Sequence, residues 1–170
     1  RGSAPAPSFE NRMDIGLISD THGLLRPEVL PALEGCEVVL HAGDVGSREI
    51  LEALKAVGPV HAVRGNTDRG ALGQSLPLTE FVEVGGVTLC MIHILEELDL
   101  DPVAAGVDVV VYGHTHRPRV DEREGVLFVN PGSCGPRRFD LPVTISRLSV
   151  GPTGDLSVRL VPLESEQAAV

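Results

Sequence analysis

The fold of this chain is decided by residues 15–66, which read IGLISDTHGLLRPEVLPALEGCEVVLHAGDVGSREILEALKAVGPVHAVRGN. Short apolar runs in this stretch predict buried strands at 15–19, 38–41 and 60–63. Between them the pattern predicts a weak short helix over 27–33 and a better one over 48–57, with Ser47 as its N-cap. The alternation of strands and helices predicts a parallel sheet with right-handed crossovers.

The pattern changes after this stretch. Residues 80–84 and 87–92 flank a Gly-Gly pair and predict a hairpin with a two-residue turn. An Asp-Pro pair at the start of 101–106 predicts a short helix there. Further strands are predicted at 109–112, 117–122, 126–130, 143–150 and 156–162. These pieces fit a mixed two-sheet core flanked by helices.

Composition excludes several classes of protein. The chain has 170 residues, of which 42% are hydrophobic and 22% charged, so it is globular, and it has no apolar run of ~20 residues to cross a membrane. Aromatic residues are only 3% and the net charge is -10, which disfavours nucleic-acid binding. Three cysteines without a CxxC pair indicate a reducing compartment, and we expect the cytoplasm.

The ends of the chain show no periodicity. We expect residues 1–12 to be an expression remnant or a flexible N-terminus, and 164–170 to be a loose tail. Residues 13–163 contain no repeat and no linker, so they are expected to form a single domain.

Five of the predicted strands end in side chains that bind metals, and ligands bind outside the carboxyl ends of strands in open α/β sheets. A single Asp or His has an ordinary explanation, as a turn former or a structural residue. We interpret His41 and His61 in that way, with support of metal ligands as the lesser alternative. Seven potential metal donors at five strand ends are more than chance would place there. They are Asp20, His22, Asp44, Asn66, His93, His114 and His116.

The donor set indicates two metals and an anionic substrate. Seven nitrogen and oxygen donors exceed the four of one zinc site and suit a pair of cations. Without sulfur, they suit manganese, iron, nickel or zinc, and the donor set leaves the choice open; we expect manganese. Two divalent cations outweigh Asp20, Asp44 and a hydroxide by one positive charge, which would attract a phosphate.

In order and spacing these motifs resemble those of the calcineurin-like metallophosphoesterase superfamily. Its small phosphodiesterase branch has a closing motif similar to Asn130-Pro131-Gly132-Ser133. The resemblance implies a four-layer α/β/β/α sandwich of two mixed sheets flanked by helices, with a dinuclear site at one edge. The motifs that carry it are Asp20-Thr21-His22-Gly23, Gly43-Asp44, Gly65-Asn66, His93 and Gly113-His114-Thr115-His116.

The resemblance also implies a role for each residue. It places Asp20, His22 and His116 on the first metal, Asn66, His93 and His114 on the second, and Asp44 between them. A hydroxide between the metals would attack phosphorus in line, with Asp44, Asn66 and His93 as the catalytic group. Asn66 and Arg137 would bind substrate.

Two positions depart from the family pattern. Thr67 stands where many members have a His that helps to protonate the leaving group, which leaves the proton source open and favours activated esters. Ile94 follows His93 where Gly is common, and a β-branched residue restricts the backbone beside that ligand. Ser133 is expected to support the site rather than act as a nucleophile, and Cys134 is expected to be buried.

The sequence therefore predicts a metal-dependent phosphoesterase acting on a small phosphate ester, and a phosphodiesterase rather than a monoesterase. A non-catalytic protein-interaction scaffold on the same fold is the alternative. A third hypothesis is an oligomeric nuclease, which the acidity of the chain and its few aromatic residues disfavour. Whether the chain forms a homo-oligomer is left open.

Overall fold

A computed structural model describes residues 12–163. The predicted segment 1–12, except Arg12, and the predicted tail 164–170 therefore lie outside the described residues. The strands are β1 (Met13–Ile18), β2 (Val38–His41), β3 (Val60–Ala62), β4 (Thr79–Val84), β5 (Val87–Ile92), β6 (Val109–Val111), β7 (Arg119–Arg123), β8 (Val126–Asn130), β9 (Thr144–Val150) and β10 (Leu156–Pro162). The helices are α1 (Val29–Ala32), α2 (Arg48–Leu54) and α3 (Gly70–Ser75), with a 3₁₀ turn at Leu95–Glu97.

The strands form two mixed sheets, as predicted. The first has the order β10-β9-β1-β2-β3, and its β1, β2 and β3 are parallel. The second has the order β4-β5-β6-β8-β7, with β5, β6 and β8 parallel and the predicted β4–β5 hairpin at one edge. The strands that precede the predicted metal ligands are therefore parallel neighbours: β1, β2 and β3 in the first sheet, and β5 and β6 in the second.

The core follows the two-residue period of the strands. Ile15 and Leu17 of β1 face the second sheet and pack with Leu89 and Met91 of β5, and all four are fully buried. Ile18 faces the opposite way, onto the layer of helices that covers the first sheet. Each sheet thus buries one face in the shared core, and this packing fixes the two sheets against each other.

The layer over the second sheet is thinner than predicted. Its outer face is covered by Leu95, Leu98 and Leu100 around the 3₁₀ turn. The helix predicted over 101–106 is wrong: Asp101 Oδ1 accepts the amides of Val103 and Ala104 as an N-cap would, but the chain only turns. The segment is short, and a helix nucleus is costly to form.

Helix lengths also differ from expectation. The helix predicted over 48–57 ends at Leu54, because the amides of Lys55, Ala56 and Val57 bond three residues back and tighten the last turn. Helix α3 was not predicted, since its two glycines lower helix propensity. None of the described residues form a helix that could span a membrane. All three cysteines are free thiols and buried.

Candidate metal centre

The seven predicted metal ligands lie in one cluster at the edge where the two sheets meet. They follow β1, β2 and β3 of the first sheet and β5 and β6 of the second. Backbone hydrogen bonds join the loops within each sheet, from Asp20 N to Gly43 O at 3.0 Å and from Gly113 N to His93 O at 3.0 Å. Across the sheets, the amide of His114 donates to Asp20 Oδ2 at 3.1 Å. The cluster thus depends on both sheets.

Asp20 is the centre of the first half of the cluster. Its Oδ1 lies 3.3 Å from His116 Nε2 and 3.6 Å from His22 Nε2, and these two nitrogens are 3.2 Å apart. The residue is fully buried, yet Oδ1 has no hydrogen-bond partner among the described residues, while Oδ2 accepts the Ser19 hydroxyl at 2.7 Å. A buried carboxylate oxygen facing imidazole nitrogens could hold a cation, because a buried charge needs a partner.

Asp44 connects the two halves. Its Oδ2 lies 3.2 Å from His93 Nε2 and 3.7 Å from His22 Nε2, so one oxygen faces both halves. Its Oδ1 accepts the amide of Thr67 at 2.9 Å. Thr67 thus acts on the cluster through its backbone.

Asn66 and His114 complete the second half on its open side. Asn66 Oδ1 lies 3.1 Å from both His93 Nε2 and His114 Nδ1. Asn66 and His114 are exposed, whereas His93 is buried. The cluster is therefore closed beneath Asp20 and open beside Asn66.

The carboxylates of the cluster stay ionised. Burial raises the pKa of Asp20, but the imidazoles of His116 and His22 outweigh it and hold that pKa well below its ordinary value. Burial likewise raises the pKa of Asp44, and the contact with His93 and the amide of Thr67 overcome this and lower it to about 2. Both aspartates are thus anionic at neutral pH and suited to cations.

His93 is well positioned despite Ile94. Its Nδ1–H donates to the Ala42 carbonyl at 2.7 Å, which leaves Nε2 facing the cluster. Ile94 has φ -107° and ψ 110°, an extended conformation that β-branched residues favour. Burial lowers the pKa of His93, but its carboxylate neighbours Asp44 and Asp20 more than offset this and raise it.

Left-handed backbone orients most of the cluster. Five of the seven residues have positive φ: Asp20 (57°), His22 (46°), Asp44 (54°), His114 (71°) and His116 (59°). This conformation costs a non-glycine residue about 1–3 kcal/mol, and such residues cluster at active and ligand-binding sites. It turns each side chain back over the end of its strand.

The glycines before Asp44, Asn66 and His114 serve two purposes, only one of which the sequence suggested. Gly43 has φ +101° and makes the sharp turn. Gly65 and Gly113 are needed for space: a Cβ on Gly65 would meet Asp44, and one on Gly113 would meet Ser19 and Asp20 Oδ2. Close approach of the loops, rather than a turn, requires glycine at these two positions.

Asp68 supports the cluster from beneath, and sequence reasoning gave it no role. This buried carboxylate accepts the amides of Gly65 (2.9 Å), Val45 (3.2 Å) and Gly46 (2.9 Å). It therefore ties the loop carrying Asn66 to the loop carrying Asp44. The only signal in the sequence was an Asp two residues after the Gly-Asn pair, a spacing that also fits a simple turn.

His41 supports the cluster as well. The amide of Gly43 donates to its Nδ1 at 3.2 Å, so Nε2 carries the proton and donates to Thr21 Oγ1 at 2.9 Å. The Thr21 hydroxyl then donates to Val45 O at 2.8 Å. Burial lowers the pKa of His41 to about 4, which keeps the ring neutral.

The closing motif holds two of the ligand loops. Asn130 Nδ2 donates to Gly113 O and to Thr115 Oγ1, each at 3.0 Å. The Ser133 hydroxyl donates to the carbonyl of Asp20 at 2.9 Å, which confirms its expected supporting role. Cys134 is buried, as expected, and burial raises its pKa to about 12.

Two other predicted residues lie away from the cluster. His61 pairs with Glu80 at 2.8 Å between the edge strands β3 and β4, which agrees with a structural residue. Arg137 is exposed, and its Nε donates to Leu141 O at 3.3 Å within its own loop. A role for Arg137 in substrate binding stays a prediction.

The cluster fits divalent cations. Asp20, His22 and His116 form one group of donor atoms close enough to share an ion, and Asp20, Asp44 and His93 form another. Two ionised carboxylates, four imidazoles and an amide oxygen provide the nitrogen and oxygen ligands such ions prefer. Asp20 Oδ1, which accepts no hydrogen bond from the described residues, is the atom best placed to gain from a cation.

Comparison with known proteins identifies the family of this chain. The sequence profile of the calcineurin-like phosphoesterase superfamily domain matches residues 13–151, so the chain belongs to that superfamily. A probable metallophosphoesterase of Methanocaldococcus jannaschii is 36% identical over 165 residues, covering 89% of this chain and 82% of the relative. A phosphodiesterase of the same archaeon is 30% identical, covering 72% and 84% of the two chains.

Among solved structures, Vacuolar Protein Sorting 29 from Cryptosporidium parvum has a similar fold. The TM-score is 0.72 at 23% identity, with 92% of this chain and all of that chain covered. The predicted metallophosphoesterase fold is confirmed.

Proposed function

We propose that this protein hydrolyses phosphate esters with two divalent cations held by the seven clustered residues, manganese first among the candidates. The observation that carries the proposal is the buried Oδ1 of Asp20, which has no hydrogen-bond partner within residues 12–163, with Asp44 Oδ2 facing both halves of the cluster. Asp20, His22 and His116 would hold one cation. Asn66, His93 and His114 would hold the other, with Asp44 shared.

Each residue has a task that its position supports. When bound, the cations supply a nucleophile from water near neutral pH and neutralise charge on the phosphoryl oxygens. Asp44 holds its oxygen between the two halves because the Thr67 amide fixes the other oxygen. His93 keeps Nε2 toward the cluster through Ala42. Asn66 lies at the exposed rim, where a substrate phosphate arrives.

We infer that diesters are preferred to monoesters. A relative 30% identical to this chain is named a phosphodiesterase. The hydroxyl of Thr67 does not protonate a leaving group at neutral pH as a histidine would, and this favours esters with good leaving groups. We also infer that the protein works in a reducing compartment such as the cytoplasm, because its three cysteines are free thiols.

The test combines metal analysis with two substrates. The protein is stripped with a chelator, reloaded with Mn²⁺ and assayed on bis(p-nitrophenyl) phosphate and p-nitrophenyl phosphate. We expect two metal ions per chain and faster hydrolysis of the diester. Stoichiometric metal without turnover of either ester would contradict the proposal, and faster hydrolysis of the monoester would contradict the diester preference.

A protein-interaction scaffold is the second candidate. Its support is the structural likeness to a protein named for vacuolar protein sorting. The complete donor set favours the enzyme. A chain that takes up no metal from Mn²⁺, Fe²⁺, Ni²⁺ or Zn²⁺ solutions would favour the scaffold.

A further inference from the structure

A groove of about 380 Å³ opens beside the second half of the cluster. Asn66 and His93 line it, so it is continuous with the candidate metal centre. Its apolar wall is formed by Leu78, Ile92 and Ile94. The volume is within the range of small-molecule sites.

The apolar wall is held in place by the elements that position the cluster. The amide of Arg64 donates to Pro77 O at 2.7 Å, which keeps the residue before Leu78 beside the strand end that carries Asn66. Ile94 follows His93, whose ring is fixed by Ala42. Leu78 is 64% exposed and therefore offers apolar surface to the groove. A bound organic group would cover it.

The charges in the groove do not favour a second phosphate. Arg64 and Glu97 both line the groove and carry opposite charges. Because the charges cancel, the groove adds no net attraction for an anion, whereas the apolar wall favours uncharged carbon surface.

We propose that this groove binds the uncharged organic group of a phosphodiester, with aryl and other bulky apolar groups preferred to short alkyl groups. The inference rests on the proposed function and deepens it, since it names the substrate class. Phosphorus would lie at the cluster, and one ester group would extend past Asn66 and His93 against Leu78 and Ile94.

The experiment compares two monoanionic diesters with the same leaving group, bis(p-nitrophenyl) phosphate and ethyl p-nitrophenyl phosphate. For the wild-type protein we expect a KM about 5- to 10-fold lower for the aryl diester, after correction for its two leaving groups. In the double variant Leu78→Ser/Ile94→Ala the ratio should fall to about twofold or less. Leu160→Ser, an exposed leucine of β10, is the matched control and should keep the wild-type ratio.

A binding measurement separates this inference from the proposed function. The protein is first stripped of Mn²⁺ and reloaded with Zn²⁺. Diphenyl phosphate and diethyl phosphate are then titrated in separately, and the methyl NMR signals of Ile92 and Ile94 are followed. Shifts with the diphenyl ester alone support the groove even if no ester is hydrolysed. If the wild type hydrolyses both diesters with equal KM, or the variant keeps the wild-type ratio, the groove assignment is wrong and the enzyme assignment stands.

Discussion

At the scale of the residue, Asp44 and Asp68 show how similar carboxylates acquire different roles. In the described part of the chain, Asp44 Oδ2 accepts no backbone amide and faces the histidine nitrogens of His93 and His22. Both carboxylate oxygens of Asp68 accept hydrogen bonds from backbone amides. The first is therefore available to a cation and the second is not.

Asp44→Asn tests the shared ligand. An amide can still accept the Thr67 N–H, so the fold should persist, but it supplies no anionic oxygen between the halves. We expect kcat/KM on bis(p-nitrophenyl) phosphate to fall about a thousandfold, with the circular dichroism spectrum unchanged. Asp99→Asn, an exposed aspartate, is the control and should match the wild type. Retained activity in the Asp44 variant would remove it from this role.

Asp68→Asn tests the supporting carboxylate. The amide nitrogen of Asn would face at least one of the donors of Gly65, Val45 and Gly46. We expect the free energy of unfolding to fall by about 2–3 kcal/mol and Mn²⁺ to bind more weakly, measured by chemical denaturation and by calorimetry. Unaltered Mn²⁺ affinity alongside lost stability would limit Asp68 to a structural role.

At the scale of the element, the site is made by loops that approach more closely than side chains allow. Gly113 after β6 lies against Ser19 and Asp20 after β1, so strands of different sheets meet there without a Cβ between them. Asn130 of β8 holds the same loop through the Gly113 carbonyl. Strand ends and glycines together therefore determine the spacing between Asp20 and His114.

Gly113→Ala tests this close approach. The added Cβ would press on Asp20 and Ser19, and we expect a loss of about 1–3 kcal/mol in unfolding free energy together with weaker Mn²⁺ binding. Gly154→Ala is the comparison, because its Cβ meets open space and only its φ of +82° opposes it, at about 1 kcal/mol. The comparison variant should bind Mn²⁺ as the wild type does; equal metal affinity in the two variants would show that the approach is not needed.

At the scale of the whole molecule, the candidate metal centre joins the two sheets. The first sheet supplies Asp20, His22, Asp44 and Asn66, and the second supplies His93, His114 and His116. A cation bound between them contacts both sheets only in the folded protein. Metal binding should therefore stabilise the whole fold, not only the loops.

Thermal unfolding measures this coupling. With Mn²⁺ at about 100 times its dissociation constant the gain is about 2.7 kcal/mol, which raises Tm by about 5–10 °C. Excess EDTA should reverse the shift, and Asp44→Asn should show little of it. A Tm that does not respond to any divalent cation would contradict a metal centre between the sheets.

Much of this protein was predictable from local sequence. The apolar runs at β1, β2 and β5 are continuous because parallel strands are buried on both faces, and the Gly-Gly pair between β4 and β5 permits a two-residue turn. The seven donors follow such runs directly, so their meeting at one edge follows from strand direction. Helix ends and the 101–106 turn were less predictable, since one or two hydrogen bonds decide them.

Other features of the site could be seen only in the folded protein. Three features depend on residues distant in sequence: which oxygen of Asp20 lacks a partner among residues 12–163, why Gly65 and Gly113 cannot carry a Cβ, and which amides Asp68 accepts. The groove of Leu78 and Ile94 is likewise formed by two separate loops. The strands and the donors could be predicted because they depend on neighbours along the chain, whereas the distances and hydrogen bonds between loops arise only when the two sheets pack.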